Sequence, residues 1–130
     1  DWERNAWVEG QQGDGIGETV TLALKKPAKV GRIGIQNGYT KSRALYFANN
    51  RAAQFNVSIN DQKPFQVEVP DEFLEEELFW FDLPKLAASI KTIKFEIAAI
   101  HAGTTYQDTA ISKIELLVPL DKTPKIQPAR

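Results

Sequence analysis

Residues 55–69 read FNVSINDQKPFQVEV, and this stretch decides the fold class. Apolar side chains alternate with polar ones on both sides of a short polar connection, Asn60 to Pro64. Strict alternation is typical of antiparallel strands that bury one face and expose the other to water. The stretch therefore predicts two half-buried strands joined by a turn.

The same period-two pattern recurs in seven segments of the chain. Their apolar positions are Val20, Leu22 and Leu24; Ile33 and Ile35; Phe55, Val57 and Ile59; Phe65, Val67 and Val69; Phe79, Phe81 and Leu83; Phe95, Ile97 and Ala99; and Ile114, Leu116 and Val118. Seven such strands predict an all-β fold, an antiparallel two-sheet β-sandwich. Only Asp71–Leu78 and Pro84–Ser89 favour a turn or two of helix.

Length and composition predict one domain. A chain of 130 residues buries roughly two thirds of its unfolded surface, so its core needs no disulfides. We expect the domain to span residues 1–118 and residues 119–130, with their prolines and charges, to be a tail or linker. The chain contains no methionine, so we expect a processed product or an excised segment of a longer gene product.

Composition also excludes several classes of function. The absence of cysteine excludes thiolate zinc sites, iron–sulfur clusters and cysteine nucleophiles, and it leaves the redox compartment undetermined. Sixteen basic and seventeen acidic residues give a net charge of −1, so the sequence lacks the excess of basic residues typical of proteins that bind nucleic acid. No apolar run approaches the roughly twenty residues that span a bilayer, and the first residues of this sequence do not resemble a signal peptide. We therefore expect neither nucleic-acid binding nor membrane insertion.

Reversal of the chain at each strand sorts the connections into two ends of the predicted sandwich. Short turns fall at one end: residues 25–29, 60–64 and the segment that begins at Pro84. Long connections fall at the other: residues 5–17, 37–51, 70–78 and 101–109. Binding residues are disproportionately carried on long loops above a rigid scaffold, so we expect the working surface at this second end.

Residues 37–51 form the most unusual of these loops, because they combine amides, tyrosines and positive charge between two alternating runs. A connection of about fifteen residues without its own apolar periodicity is usually functional or disordered. Its apolar side chains, among them Leu45 and Phe47, argue against disorder. The loop therefore has the character of a binding segment.

Tyrosines beside amides and charged groups suit a sugar, whose C–H face packs on an aromatic ring while its hydroxyls need polar partners. The candidate ligand-binding residues are Asn37, Tyr39, Lys41, Tyr46, Asn49, Asn50, Arg51, Tyr106 and Asp108. The alternative is that the tyrosines pin the loops and that Arg51 and Asp108 form a structural ion pair. The sequence leaves both interpretations open.

Catalytic interpretations are weaker. Glu9, Asp14 and Glu18 offer the carboxylates of a glycosidase, but closeness in sequence does not establish the required separation. His101 and Asp108 lack a serine in a nucleophile turn. The glycines before residue 18 precede a strand, whereas a phosphate-binding fingerprint opens a helix. Surface carboxylates, a loop histidine and turn glycines explain these residues, and we expect no enzyme.

Several short motifs resemble those of a known family. They are AWVEG at 6–10, GIGE at 15–18, NGY at 37–39, KS at 41–42, LY at 45–46, NNR at 49–51 and YQDTAIS at 106–112. In this order they resemble the NADase-type glycan-binding domain, a discoidin-like, galactose-binding-like jelly roll that accompanies bacterial NAD glycohydrolase toxins. The resemblance covers about residues 6–118, and it implies a sandwich with a carbohydrate-binding role but no NAD hydrolysis.

Two positions depart from the family pattern. Lys113 stands where members usually have an acid, which makes a structural calcium doubtful, and we expect no cofactor. Thr19 stands where an aromatic residue is common, so one sheet face is less apolar than in the family.

The first hypothesis is a non-catalytic carbohydrate-binding module of a larger bacterial envelope or exported protein, whose partner is a glycan. The alternative is a protein-protein interaction module that uses the same loop end to contact other domains of its chain or a protein partner. A glycosidase is the third hypothesis. The resemblance implies an extracellular, periplasmic or envelope location.

Overall fold

The computed structural model describes residues 7–8 and 15–117, and it confirms the all-β class. One short helix interrupts the strands. Within the described residues the elements are β1 (Trp7–Val8), β2 (Thr19–Asn37), α1 (Arg43–Ala48), β3 (Arg51–Ile59), β4 (Phe65–Glu68), β5 (Phe79–His101) and β6 (Ala110–Leu117).

The strands pair in the order β1-β6-β2-β5-β3-β4, and every pair is antiparallel. Two long strands, β2 and β5, run side by side through the centre of this sheet. The sheet folds over on itself, because β6 pairs with the second half of β2 and β3 pairs with the second half of β5. The result is the predicted two-layer sandwich.

Two contacts show that the layers face each other. The ring of Phe65 on β4 lies 6.5 Å from that of Phe81, which belongs to the first half of β5 in the other layer. The side chain of Asn37, at the end of β2, hydrogen-bonds the backbone of Ala52 on β3. The buried apolar residues form one cluster between the layers. Burial of this single core supplies the main driving force for folding.

Alternation predicted most of that core correctly. Phe55 and Val57 on β3 are fully buried, whereas their neighbour Asn56 is partly exposed. All seven predicted apolar segments lie in strands or directly beside them, although Val118 falls outside the described residues. The stretch quoted at the outset forms β3 and β4, with Phe55 opposite Val67.

The number of strands was predicted wrongly, because two predicted turns are bulges inside continuous strands. In β2, Ala23 pairs with Thr92 and Ala28 pairs with Ile90, so residues 24–27 lie opposite residue 91 alone. Pro27 occupies this bulge, where its missing N–H breaks no ladder hydrogen bond. The predicted turn at residues 25–29 is thus a corner at which the strand passes between layers.

A second bulge lies in β5. Val30 pairs with Ala87 and Arg32 pairs with Asp82, so residues 83–86 lie opposite residue 31 alone. Pro84 lies here, and the segment that was predicted to turn or form helix remains extended. Prolines mark both corners, but local sequence does not show whether the chain bends as a strand or leaves the sheet.

Helix was also predicted at the wrong position in the chain. Residues 71–78 contain no helix, and α1 forms instead inside the long loop, where Ser42 caps it by accepting a hydrogen bond from the Leu45 amide. Serine is a favoured N-cap because it satisfies an amide that has no helical partner. Tyr46, which is fully buried, anchors the helix against the sandwich. Tertiary packing outweighs propensity in so short a helix.

Residues 119–130, which were predicted to form a tail, lie outside the described residues, so the domain boundary stays a prediction. In the described part of the chain, no helix is long and apolar enough to cross a membrane.

The hairpin between β3 and β4 makes a testable prediction. Asn60 and Asp61 have φ values of 52° and 61°, and Asn60 Oδ1 also accepts hydrogen bonds from the amides of Lys91 and Thr92. We expect Asn60→Ala to lower the free energy of unfolding by about 2 kcal/mol, since it loses these bonds and places an alanine at positive φ.

The control is Asn60→Gly, which keeps the permitted backbone but removes the same side chain. We expect it to cost about 1 kcal/mol in urea unfolding. If both variants match the wild type, the asparagine does not hold the turn against β5.

Candidate functional site

Three of the long loops meet at one end of the sandwich, which we call the loop end. They are loop A (residues 38–50), loop B (69–78) and loop C (102–109). Asn50 joins A to C, because its Oδ1 accepts from the Gly103 amide at 2.7 Å and its Nδ2 donates to the Gln107 carbonyl at 2.8 Å. Residues 9–14, predicted to lie at the same end, are outside the described residues.

Arg51 is the centre of the loop end. Its side chain is buried, with 5% of its surface exposed, and its Nη1 donates to the carbonyls of Asn49 at 3.0 Å and Ala102 at 3.3 Å. Nε and Nη2 donate to the two carboxylate oxygens of Asp71 at 3.1 and 2.7 Å. This fork-to-fork pair is the strongest geometry available to the two groups. One guanidinium therefore holds loops A, B and C together.

Aromatic rings enclose the same guanidinium. The carbon Cζ of Arg51 lies 4.9 Å from the ring centroid of Tyr46 and 5.1 Å from that of Phe47. A desolvated cation is attracted to the faces of such rings. The cluster of Tyr46, Phe47, Arg51 and Asp71, here called the arginine cluster, is therefore held by charge, hydrogen bonds and ring contacts together.

In the arginine cluster, the pKa values of Tyr46 and Asp71 are shifted in opposite directions. Burial, together with the 2.9 Å hydrogen bond that its hydroxyl donates to Asp71, raises the pKa of Tyr46 far above its ordinary value. Burial alone would raise the pKa of Asp71, but the hydrogen bonds from Arg51 and Tyr46 outweigh it and lower that pKa. At neutral pH the phenol is protonated and the carboxylate charged, so both groups serve structure rather than proton transfer.

The predicted ion pair of Arg51 with Asp108 is therefore corrected, because the partner of Arg51 is Asp71. Many carboxylates in this sequence could have faced the arginine. Only the folding of loop B across the sandwich selects Asp71. Sequence reasoning missed this residue, and its one available signal was that a buried arginine needs an acid.

The three candidate asparagines are buried and hydrogen-bond the backbone. Asn37 Nδ2 donates to the Ala52 carbonyl at 2.7 Å, and Asn49 Nδ2 donates to the Leu45 carbonyl at 2.8 Å. Asn50 joins loops A and C as described above. Together with Arg51 and Tyr46, five of the nine predicted residues are buried. In this conformation they support the loops and do not face solvent.

The other four candidates face outward. Tyr106 is 51% exposed, Lys41 and Asp108 are exposed, and Tyr39 is half-buried. The turn that carries Tyr39 is fastened to β6, because Ser112 Oγ donates to the Gly38 carbonyl at 2.7 Å and accepts from the Thr40 amide. The structure thus divides the predicted set into an inner support and an outer surface.

Other outward groups at the loop end were not among the nine candidate residues. Arg43 places its guanidinium carbon 5.1 Å from the ring of Phe47 and 6.0 Å from that of Phe73. Phe47 and Phe73 are half-buried. The ring centroids of Phe73 and Tyr46 lie 5.5 Å apart, so Arg43 and Phe73 form an outer layer that rests directly on the arginine cluster.

The residues considered for catalysis do not assemble a site among the described residues. Glu9 and Asp14 lie outside them, and Glu18 is placed beside Ile97 by backbone hydrogen bonding. His101 contacts the Val69 carbonyl at 3.1 Å through its ring Nε2. Across residues 15–117, no group of three or more histidine or acidic side chains could hold a metal ion.

A protein-family model matches most of this chain. Residues 2–117 match the model of the NAD glycohydrolase translocation F5/8 type C domain. The chain belongs to this family. The matched residues cover nearly the whole chain, so the family fold and the observed sandwich concern the same segment.

Solved structures agree with this assignment. The NMR structure of the Streptococcus pyogenes NAD+-glycohydrolase translocation domain is 27% identical, with a TM-score of 0.59, and the match covers 88% of this chain and 94% of that one. The cryo-EM structure of arabinofuranosyltransferase AftD from Mycobacteria is 12% identical, with a TM-score of 0.62, and the match covers 88% of this chain and 8% of that one. That second match shows the fold alone. A comparison with the curated proteins found no match.

Family membership decides part of the functional question. The family is a translocation domain, not a catalytic domain, so the chain is a non-catalytic module. The discoidin-like fold implied by the sequence motifs is confirmed. Glycan binding is not shown by these matches, and the ligand-binding roles of the nine candidate residues stay predictions.

Proposed function

We propose that this domain is a protein-interaction module that acts in the translocation of a larger exported bacterial protein, and that its contact surface is the loop end. The observation that supports it best is the inward position of Asn37, Asn49, Asn50 and Arg51. These side chains were expected to bind sugar hydroxyls, but their polar groups hydrogen-bond the protein itself.

The outer layer of the loop end has the composition of a protein interface. It presents Tyr106, Arg43, Phe47 and Phe73. Aromatic residues and arginine are enriched in the centres of protein interfaces, where a few of them carry most of the binding energy. A polypeptide partner can cover such a broad surface, whereas a small sugar needs a dense set of free polar groups.

The arginine cluster prepares this surface for binding. Because Arg51 holds loops A, B and C at once, the surface is largely formed before a partner arrives. A preorganised surface loses less conformational entropy on association, so more of the contact energy appears as affinity.

Carbohydrate binding is the second candidate. The exposure of Tyr106, with Lys41 and Asp108 also outward, supports it, since an open tyrosine face can pack on a sugar ring. Only four of the nine predicted residues are available for that role in this conformation. We therefore place glycan binding behind protein interaction.

Family membership supports an exported location. The family model and the streptococcal structure are both described as translocation domains of an NAD glycohydrolase. A domain with that role meets its partners outside the cytoplasm, at the cell envelope or beyond. The partner is another domain of the same gene product or a separate protein.

Site-specific photo-crosslinking tests the proposal. A benzoylphenylalanine is placed at position 106 of the full-length gene product, and in a matched variant at Asp61, which is exposed in the hairpin turn at the opposite end of β3. After irradiation in the producing bacterium, we expect a protease-sensitive polypeptide adduct at position 106 and none at 61. A glycan array with the domain and with Tyr106→Ala runs in parallel.

The outcomes separate the two candidates. Glycan binding that Tyr106→Ala abolishes, without a polypeptide adduct at 106, would replace the proposal by the carbohydrate-binding candidate. Equal adducts at 106 and 61 would show that the loop end has no special role in contacting protein.

A further inference from the structure

A groove lies on the outer face of the sheet, away from the arginine cluster. Trp80 on β5, which lines the groove, pairs with Gly34 on β2, and Gly34 also pairs with Glu115 on β6. A Cβ at Gly34 would lie 2.9 Å from two carbons of the Trp80 indole. The indole of Trp80 therefore lies across Gly34. Because glycine has no side chain, the indole packs directly on the backbone of β2.

The end of loop B forms one wall of the groove. Gln36 Nε2 donates to the carbonyls of Leu74 at 2.9 Å and Glu75 at 2.8 Å, which ties this part of loop B to β2. The resulting groove has a volume of about 440 Å³. It is lined by Glu76, Glu77, Leu78, Trp80, Lys113 and Glu115.

The groove has a net negative charge, because its basic side chains are already paired with other acids. Lys113 pairs with Glu115 at 3.4 Å, and beside the groove Arg32 pairs with Asp82 at 3.0 Å. Glu76 and Glu77 are exposed, and within residues 15–117 neither is in an ion pair. The unbalanced charge of the groove is therefore that of these two carboxylates beside an indole.

We propose that this groove binds a basic segment of a polypeptide, with an arginine or lysine side chain on Trp80 and its charge near Glu76 and Glu77. An indole is the best aromatic partner for a cation, and neighbouring carboxylates strengthen the preference. This indole already lies near a cation, since the guanidinium carbon of Arg32 is 5.7 Å from the centroid of the Trp80 ring, and a partner's basic side chain shares the ring with Arg32 or displaces it. The groove borders the loop end, because Glu76, Glu77 and Leu78 belong to loop B, but none of its lining residues belongs to the arginine cluster. The proposal does not rest on the function proposed above.

The charge distinguishes this occupant from a neutral sugar. A sugar would use the indole face but would gain little from a net negative wall. A basic segment uses the apolar indole, the half-buried Leu78 and the carboxylates together. Exposed charges attract each other less as salt rises, so the proposed complex weakens with ionic strength.

Fluorescence anisotropy tests the groove with three labelled probes: the peptide GRGRGRG, its acidic counterpart GEGEGEG and maltohexaose. In low-salt buffer we expect the domain to bind only the arginine peptide. The double variant Glu76→Gln/Glu77→Gln should weaken this binding roughly tenfold, since it removes both unbalanced carboxylates. The matched control is Glu68→Gln/Glu72→Gln, which changes two exposed acids outside the groove by the same charge and should leave affinity within about twofold.

A second measurement locates the peptide. In the NMR spectrum of the domain, the indole N–H of Trp80, assigned by its loss in Trp80→Phe, should shift on titration with GRGRGRG. Equal weakening by the two double variants would show only general attraction between charges and would overturn the proposal. Absence of arginine-peptide binding, or preferential binding of maltohexaose, would overturn it as well.

Discussion

Replacing Arg51 with alanine is expected to lower the free energy of unfolding by about 3 kcal/mol. The change removes five hydrogen bonds, to the Asp71 carboxylate and to the carbonyls of Phe47, Asn49 and Ala102. Carbonyls left buried without a donor are costly. The value lies at the low end for a broken buried pair, because the Asp71 side chain is 34% exposed and water can reach its carboxylate.

Urea unfolding of the variant measures this cost, and Arg43→Ala is the matched control. Arg43 lies on loop A, and its guanidinium, like that of Arg51 at the start of β3, lies over the ring of Phe47, but Arg43 is exposed. We expect its loss to cost less than about 1 kcal/mol. Similar values for the two variants would mean that the arginine cluster does not hold the loop end together.

The second large effect is expected at Gly38, where alanine should cost about 3 kcal/mol. Gly38 has a φ of +82°, which an alanine adopts only with strain. A Cβ there would also lie 2.6 Å from two ring carbons of Tyr46 and 2.8 Å from Cγ of Arg51. These are parts of a packed cluster and cannot move aside freely, so overpacking adds to the strain.

The variant Gly17→Ala separates the cost of backbone strain from the cost of the steric clash. Its φ is +93°, but a Cβ there meets nothing within 4 Å. Gly17→Ala should therefore cost only the backbone strain, about 1 kcal/mol. Urea unfolding of both variants gives the difference, which we attribute to the clash with Tyr46 and Arg51. If the two variants cost the same, the contact between Gly38 and the arginine cluster is not tight.

The variants Arg51→Ala and Gly38→Ala also connect the stability of the arginine cluster to the proposed function. Loosening the arginine cluster would disorder the surface that carries Tyr106 and Arg43 while leaving those side chains in the sequence. A domain that stays folded with a mobile loop end should then lose the crosslink at position 106. The two results together would link the inner support to the outer contact surface.

Alternation predicted the fold well for a simple physical reason. Most strands of this sandwich bury one face and expose the other to water, so their apolar positions alternate and show which face is buried. Residues 33–37 of β2 are the exception, since they are buried on both faces. The pattern fails at Pro27 and Pro84, because a strand that bulges around a corner and a strand that ends in a turn use the same residues. Position in the sheet, not local composition, distinguishes them.

The candidate site was predicted less completely. The three long loops do meet at one end, as chain reversal requires. Which side chains point outward could not be predicted, because asparagine and arginine serve equally well as ligand contacts or as substitutes for missing backbone hydrogen bonds. Asn37, Asn50 and Arg51 hydrogen-bond the backbone and do not face a ligand, because the loops have buried carbonyls and amides that need partners.

The sequence by itself therefore determined the all-β class, most of the apolar core positions and the gathering of long loops, because each follows from periodicity and chain direction. Only the tertiary structure decided that Asp71 pairs with Arg51, that Trp80 lies on Gly34, and that the amides face inward. Those facts depend on contacts between residues far apart in the chain. Such contacts leave no local pattern, since many side chains of the same chemistry could have made them.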